Sequence, residues 1–230
     1  MFSPVPLGYD CSAASALRDI GLRQEAYPFD WVQSRAEIVR QCILDGFARY
    51  HKEVRLMEHG RRVIDVYGVE YPHDYPVRVR EVVGAKAEEA KEVERRVGEV
   101  GEAGKEEDMY MEEMGRPIVA EWQTYCNMVQ EKYQRRIQRF LAVMACRDKP
   151  IIFFTRYRDA DARELLRWLR GHYQREDMYL VNTDHPTYLT RPEGVVEDGC
   201  VTMWTERNGI WNESVIWQEG IDAILRKYFL

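Results

Sequence analysis

The sequence is poor in cysteine, and its cysteines form no pattern. The five stand at positions 11, 42, 126, 146 and 200, and no C-x-x-C pair occurs among them. This odd number and wide spacing exclude a disulfide framework and a zinc-ribbon site. The histidines also do not cluster with cysteines as metal ligands would. We therefore predict a protein of a reducing compartment, the cytoplasm, with no metal site and no cofactor.

Long hydrophobic runs are absent as well. Nowhere do about 18 apolar residues follow one another, so the sequence predicts no membrane-spanning helix. The opening MFSPVPLGYDC has no basic region before an apolar run, and we predict no signal peptide. The net charge of −6 gives no long-range attraction to nucleic acid or to an anionic membrane. We predict a protein or a peptide as the class of partner, and the sequence gives no oligomeric state.

The familiar catalytic motifs are missing. The sequence has no G-x-S-x-G elbow, no P-loop, no G-x-G-x-x-G and no H-E-x-x-H.

The negative charge is concentrated in one segment. Residues 85–115 hold 11 acidic and 5 basic side chains, whereas the rest of the chain holds 28 of each. The segment has a helical pattern with a narrow apolar stripe, and Gly98, Gly101 and Gly104 each cost about 1 kcal/mol relative to alanine in a helix. We predict an exposed acidic helical insertion outside any catalytic cleft, either merely solubilising or docking on a partner.

The chain does contain enough hydrophobic residues for one core. With 230 residues and 45% hydrophobic side chains, we predict a single domain over residues 1–230. Periodicity predicts helices at 11–22, 34–50, 118–144, 159–173 and 214–228, and strands at 2–8, 61–71, 151–155, 178–181 and 202–205. Pro4 and Pro6 restrict the first strand to a sheet edge or a loop. The order predicts an α/β fold with a short, partly parallel sheet flanked by helices in three layers.

Cys11 is the candidate nucleophile. It follows a glycine-containing loop, residues 7–10, and lies at the start of the predicted helix at 11–22. Backbone N–H groups and the positive end of the helix dipole would stabilise a thiolate there, and could also receive an oxyanion. The alternative is a small apolar cysteine packed beneath a loop.

Two histidines are candidate bases, because each follows a predicted strand and has an aspartate and a proline beside it. His73 is the first, with Asp74 or Asp30 to orient its imidazole ring as a third catalytic residue. His185 is the second, with Asn182 as the third residue. Both give the order cysteine then histidine.

The aromatic segment YPFDW, residues 27–31, is predicted to anchor the fold. We expect Phe29 and Trp31 to be buried, each contributing about 1.5–3 kcal/mol. We also expect Asp30 to accept hydrogen bonds from backbone N–H groups near the Cys11 loop, since a buried carboxylate needs partners.

Several segments together resemble a known family. They are LGYDCSA at 7–13, LRDIGLR at 17–23, YPFDW at 27–31 and YPHDY at 71–75. These motifs are similar to those of the putative papain-like cysteine peptidases of bacteria and large DNA viruses, over residues 3–83 and 117–229. The resemblance implies Cys11 as the catalytic cysteine and His73 as the histidine. Asp10 departs from the family pattern, where a neutral residue is common, and a carboxylate there is expected to raise the pKa of Cys11.

The sequence leaves three functions open. The first is a thiol-dependent hydrolase or acyl transferase that uses Cys11 and His73. The second is a non-catalytic structural or protein-interaction protein on a relict enzyme fold, in the host cytoplasm or the virion if the source is viral. The third is a transferase that holds a phosphate in the loop at 7–12.

Overall fold

The computed structural model describes residues 2–57, 60–78, 116–184, 196–204 and 214–230. In these residues the helices are α1 (Ser12–Asp19), α2 (Ala36–Leu44), α3 (Cys126–Ala145), α4 (Asp159–Tyr173) and α5 (Ser214–Tyr228). The strands are β1 (Ser3–Pro6), β2 (Arg55–Leu56), β3 (Val63–Ile64), β4 (Glu70–Tyr71), β5 (Ile151–Thr155), β6 (Met178–Asp184) and β7 (Cys200–Trp204). The strand β5 and the helices α4 and α5 have the predicted bounds.

Four strands form a parallel sheet in the order β1-β5-β6-β7. All five residues of β5 are buried, which is typical of a strand covered on both faces. β1 lies at the edge and pairs with β5 from Ser3↔Ile151 to Pro6↔Phe154. The edge position suits the two prolines of β1, because they have no N–H to donate to a second neighbour.

Helices cover both faces of this sheet, because alternate residues of a strand point to opposite sides. On one face Phe154 lies 5.9 Å from Trp217 of α5, ring centre to ring centre, in a cluster that includes α1. On the other face Phe153 belongs to a cluster with Phe140 of α3 and Leu166 of α4. The prediction of a three-layer α/β fold is confirmed.

The prediction of one strand at 61–71 is wrong, because the chain reverses within it. β3 and β4 pair antiparallel, and β2 completes a small three-stranded sheet. Asp65 Oδ1 accepts the N–H groups of Tyr67 and Val69, both at 3.0 Å, and Gly68 has a φ of +90°. An aspartate followed by a glycine is turn chemistry. The apolar alternation continued across the turn and hid it.

The helix predicted at 34–50 is also shorter than expected, because here too the chain changes direction. α2 ends at Leu44, and Gly46, Phe47 and His51 all have positive φ. Asp65 Oδ2 accepts the N–H of His51 at 3.0 Å. A contact 14 residues away therefore holds this reversed segment, and helical periodicity could not indicate it.

The predicted acidic insertion lies outside the described residues, but its flanks are adjacent. Arg78 N–H donates to Pro117 O at 2.7 Å, and Val77 forms an antiparallel bridge with Ile118. The chain therefore leaves this place at Arg78 and returns to it at Pro117.

Deleting residues 86–112 should leave the fold intact. The remaining connection has to join two positions that already hydrogen-bond to each other, and each halving of a loop favours folding by about 0.6 kcal/mol. We expect the free energy of unfolding, measured by urea titration, to stay unchanged or rise by about 1 kcal/mol. A loss of several kcal/mol would mean that the segment belongs to the core.

Candidate functional site

The candidate site lies at the carboxyl edge of the parallel sheet. The carboxyl ends of β1, β5 and β6 are Pro6, Thr155 and Asp184, and parallel strands place such ends together. The Cys11 loop follows β1, and the turn at 156–158 follows β5. Because β1 and β5 are neighbours, these two connections lie side by side.

Cys11 is the N-cap residue of α1, with φ −78° and ψ −5°. Its carbonyl accepts the N–H of Ser15 at 2.9 Å, so the first turn of the helix begins at this residue. The side chain is half-buried. A thiol in this place feels the positive end of the helix dipole.

Asp10 is buried beside Cys11 and has two partners. Its Oδ1 accepts the N–H of Ser12 at 2.9 Å, and its Oδ2 lies 3.2 Å from Arg156 Nη1. The carboxylate that departs from the family pattern is therefore paired with a cation. It also engages the Ser12 N–H, one of the groups that the sequence suggested for an oxyanion or a phosphate.

The loop before Cys11 is held in a left-handed conformation. Gly8 has a φ of +84° and Tyr9 a φ of +72°. Tyr9 N–H donates to Ser34 O at 3.2 Å, and Tyr157 Oη donates to Leu7 O at 2.7 Å. The backbone of this loop is thus fixed from two other segments of the chain.

Gly8→Ala should destabilise the fold by about 2–4 kcal/mol. A left-handed conformation costs a residue with a Cβ about 1–2 kcal/mol, and the added methyl would collide with Ser34 Oγ, so the buried Ser34 side chain would have to move. Gly21→Ala is the matched control, because Gly21 has a φ of +73° with no atom within 4 Å of its added Cβ. It should cost only about 1–2 kcal/mol by urea unfolding. Equal losses in the two variants would contradict a tight contact at Gly8.

His73 lies in the loop after β4 and is half-buried. Its ring packs edge-on against Trp31, with the ring centres 6.1 Å apart. Gln33 forms an antiparallel bridge with Glu70, which ties the segment Trp31–Ser34 to β4. Ser34 of the same segment accepts the N–H of Tyr9. The Cys11 loop and His73 therefore both contact this one segment.

Asp74, the first candidate to orient His73, is bound to α3. Its Oδ1 lies 2.9 Å from Lys132 Nζ, and its Oδ2 accepts the hydroxyl of Tyr133 at 2.7 Å. Burial favours the neutral acid, but Lys132, Arg136 and the Tyr133 hydroxyl outweigh it and lower the pKa of Asp74 below its ordinary value. Asp74 is an ionised anchor between the His73 loop and α3.

Asp30, the second candidate to orient His73, is completely buried. Its Oδ2 accepts two hydrogen bonds from Arg23, from Nε at 3.1 Å and Nη2 at 3.0 Å. The expected hydrogen bonds from the Cys11 loop are thus replaced by a guanidinium group. Burial raises the pKa of Asp30 to about 6, against the opposing effect of Arg23 and Arg136. Phe29 and Trp31 on either side of it are buried, as predicted.

Asn182, the predicted partner of His185, is a buried residue of β6. Its Oδ1 accepts from Thr155 Oγ1 at 2.8 Å and from Tyr157 N–H at 2.9 Å, and its Nδ2 donates to Tyr157 O at 2.9 Å. His185 itself lies outside the described residues. The amide of Asn182 therefore holds the turn after β5.

Comparison with protein families decides where the chain belongs. The model of one family, described as "putative papain-like cysteine peptidase", matches residues 3–176. The chain belongs to this family. The match covers Cys11, Asp30, His73 and Asp74. No curated protein and no solved structure matches the chain.

Two residues of this papain-like family member escaped the sequence interpretation. Arg156 pairs with Asp10, and Tyr157 donates to Leu7 O, so both contact the Cys11 loop from the turn after β5. Their position directly after the buried strand β5 could have indicated them. Residues that follow β5 lie at the carboxyl edge of the sheet, and the Cys11 loop lies at the same edge.

Two other cysteines of the chain are unsuited to nucleophilic chemistry. Burial raises the pKa of the Cys42 thiol, and it raises that of Cys200 to about 12. Thiols of this kind stay protonated at neutral pH. In the described ranges no group of three His, Cys, Asp or Glu side chains is arranged to hold a metal ion. Every helix in the same ranges is too short or too polar to cross a membrane.

Proposed function

We propose that this chain is a thiol-dependent hydrolase or acyl transferase, with Cys11 as the nucleophile and His73 as the base. The observation that carries the proposal is the place of Cys11, a half-buried thiol at the N-terminus of α1 on the carboxyl edge of a parallel sheet. Open α/β sheets bind their ligands at this edge. The segment Trp31–Ser34 supports the pairing, since it contacts both the Cys11 loop and His73.

In the proposed reaction His73 takes the thiol proton of Cys11, and the thiolate attacks the carbonyl carbon of a peptide or another acyl substrate. The protonated His73 then gives this proton to the leaving group, so that the scissile bond breaks and an acyl-cysteine remains. Water attacking the acyl-cysteine gives hydrolysis, and an amine gives acyl transfer. Backbone N–H groups of the first turn of α1, beyond that of Ser12, are the candidates for binding the oxyanion.

Asp74 and Asp30 enter this proposal as positioning residues. Asp74 follows His73 directly and fixes its loop to α3 through Lys132 and Tyr133. Asp30 precedes Trp31, whose ring contacts His73, and is itself fixed by Arg23. Both carboxylates would therefore act on the ring of His73 through the packing around it.

Two observations favour His73 over His185 as the base. The family match ends at residue 176, so it contains Cys11 and His73 but neither Asn182 nor His185. Asn182, which would orient His185, is already bound to both backbone groups of Tyr157.

The test is acylation by p-nitrophenyl acetate. We expect a burst of nitrophenolate and an acetyl group on Cys11, identified by mass spectrometry of the peptide. Cys11→Ser should abolish the burst, and His73→Asn should lower its rate about 100-fold or more, since a positioned base contributes at least that factor. Cys146→Ser, which removes an exposed thiol, is the control and should leave the burst unchanged. Acetylation of Cys11 no faster than that of Cys146 would overturn the proposal.

A non-catalytic structural or protein-interaction role, in a virion if the source is viral, is the second candidate. The observation in its favour is that Asp10 Oδ1 accepts the Ser12 N–H and so competes with an oxyanion for this donor. This candidate predicts that Cys11 reacts as an ordinary thiol and that His73→Asn leaves its reactivity unchanged.

A further inference from the structure

Arg156 is a cationic side chain that contacts the Cys11 loop. Its Nη1 lies 3.2 Å from Asp10 Oδ2, and its side chain is 23% exposed while that of Asp10 is 4% exposed. The other oxygen of Asp10 is bound to the N–H of Ser12, the residue bonded to Cys11. The carboxylate of the residue before Cys11 is therefore bound to the N–H of the residue after it, and Arg156 is held against this carboxylate.

The position of Arg156 is fixed on both sides. Thr155 Oγ1 before it and the N–H and C=O of Tyr157 after it all hydrogen-bond to the buried amide of Asn182. Tyr157 Oη in turn donates to Leu7 O in the Cys11 loop. Two contacts, one ionic and one neutral, thus connect the turn after β5 to the loop that carries Cys11.

We propose that Arg156 is a positioning residue for Cys11. The positive charge of Arg156 neutralises Asp10, so that the Asp10 carboxylate does not destabilise the Cys11 thiolate. A carboxylate close to a thiol destabilises the thiolate, and a guanidinium group close to both has the opposite effect. The pair lets Asp10 accept the N–H of Ser12 at the start of α1 without a loss of reactivity at Cys11. This inference rests on the proposed function, in which the Cys11 thiolate is the nucleophile.

The charged and titratable groups on the elements next to Cys11 also have to be considered. Asp10 belongs to its own loop, and Arg156 to the turn after β5. Arg18 lies further along α1, where it pairs with Asp19 and donates to Ser15 Oγ at 3.2 Å. His73 on the loop after β4 is the proposed base. Arg156 contacts the Asp10 carboxylate directly, so the two can be tested as a pair.

This arrangement determines the direction in which each substitution should shift the pKa of Cys11. Arg156→Gln leaves Asp10 uncompensated and should raise the pKa of Cys11 by about one pH unit, since an uncompensated charge nearby shifts a pKa by about that amount or more. Asp10→Asn keeps an oxygen that accepts the Ser12 N–H, removes the negative charge and leaves the positive charge of Arg156. It should therefore lower the pKa of Cys11 by a similar amount. The double variant removes both charges and should return the pKa close to that of the wild type. Arg156→Lys keeps the charge and should also stay close to it.

The experiment is alkylation by iodoacetamide between pH 5 and pH 10 on the full chain, with the Cys11 peptide quantified by mass spectrometry. The midpoint of rate against pH gives the pKa of Cys11 in each variant. Arg158→Gln is the matched control, because Arg158 lies in the same turn but pairs with Asp161, and it should not move the midpoint. Thermal unfolding of each variant shows whether it is folded.

A midpoint that does not move in Arg156→Gln, or a double variant whose midpoint stays as high as that of Arg156→Gln, would overturn the inference. If Arg156→Gln does not fold, Asp10→Asn decides, since its midpoint must fall. The proposed function fails separately, if wild-type Cys11 has the midpoint of an ordinary thiol, about 8.5. In that case a shift in Arg156→Gln would still support the electrostatic coupling.

Discussion

Asp74→Asn is expected to lower the free energy of unfolding at pH 7 by about 3–5 kcal/mol, the usual cost of removing one partner from a buried ion pair. The side chains of Asp74 and Lys132 are 1% and 18% exposed, and their charged atoms are 2.9 Å apart. Without the carboxylate, the Lys132 ammonium group loses its buried counter-charge and Tyr133 loses a charged acceptor. Urea titration at pH 7 measures the difference.

Asp161→Asn is the control for Asp74→Asn. It removes an ion pair with Arg158 at 2.8 Å, but the two side chains are 27% and 65% exposed. Exposed pairs contribute about 1 kcal/mol or less, so the loss should be several times smaller. Equal losses in the two variants would show that Asp74 contributes no more than a surface charge.

The effect of Asp74→Asn should also depend on pH. The pKa of Asp74 is lower in the folded chain than its ordinary value of 3.8. The carboxylate therefore contributes its stability above that value and loses it as the pH falls towards the folded pKa. The difference in the free energy of unfolding between the wild type and Asp74→Asn should therefore stay constant between pH 8 and pH 5, and should decrease as the pH falls below 3.8.

The central sheet could be predicted from the sequence because its signals are local. The continuous apolar run Ile151–Thr155 indicates a strand buried on both faces, and all five residues are buried. Helical spacing in 159–173 and 214–228 predicted two helices with the observed bounds. The two prolines of β1 predicted an edge, and an edge is where β1 lies.

The turns and the charged contacts could not be predicted in the same way, because they depend on partners distant in the sequence. Asp65 reverses the chain after β3 and also binds the N–H of His51, 14 residues earlier. Asp74 is one of two residues that the sequence suggests to orient His73, and the partners it binds are residues of α3 that are 58 and 59 positions later. Arg156 reaches Asp10 across 146 positions, and only the order of the parallel strands brings them together.

The two buried aspartates near His73 show how environment separates identical groups. Asp74 is bound by Lys132 and Tyr133, and its pKa is lowered. Asp30 is bound by Arg23 through one oxygen only, and burial raises its pKa to about 6. The number and placement of cationic and hydroxyl partners decide which effect wins at each carboxyl group.

Asp30 should therefore make the stability of the chain depend on pH in the opposite direction from Asp74. Its folded pKa of about 6 lies above the ordinary value of 3.8, so between these values the folded chain holds a proton that the unfolded chain does not. Lowering the pH from 7 to 4.5 should raise the contribution of Asp30 to the free energy of unfolding by about 2 kcal/mol. That contribution is fully present below pH 3.8 and is lost as the pH rises through 6.

Asp30→Asn isolates this contribution, because asparagine keeps the shape of the neutral acid and does not titrate. We expect the free energy of unfolding of the wild type, minus that of Asp30→Asn, to increase by about 2 kcal/mol from pH 7 to pH 4.5 in urea titrations. Asp148→Asn removes an exposed carboxylate and controls for the loss of one negative charge. A difference that stays flat, or falls towards pH 4.5, would mean that Arg23 and Arg136 keep Asp30 ionised and that burial does not decide its charge.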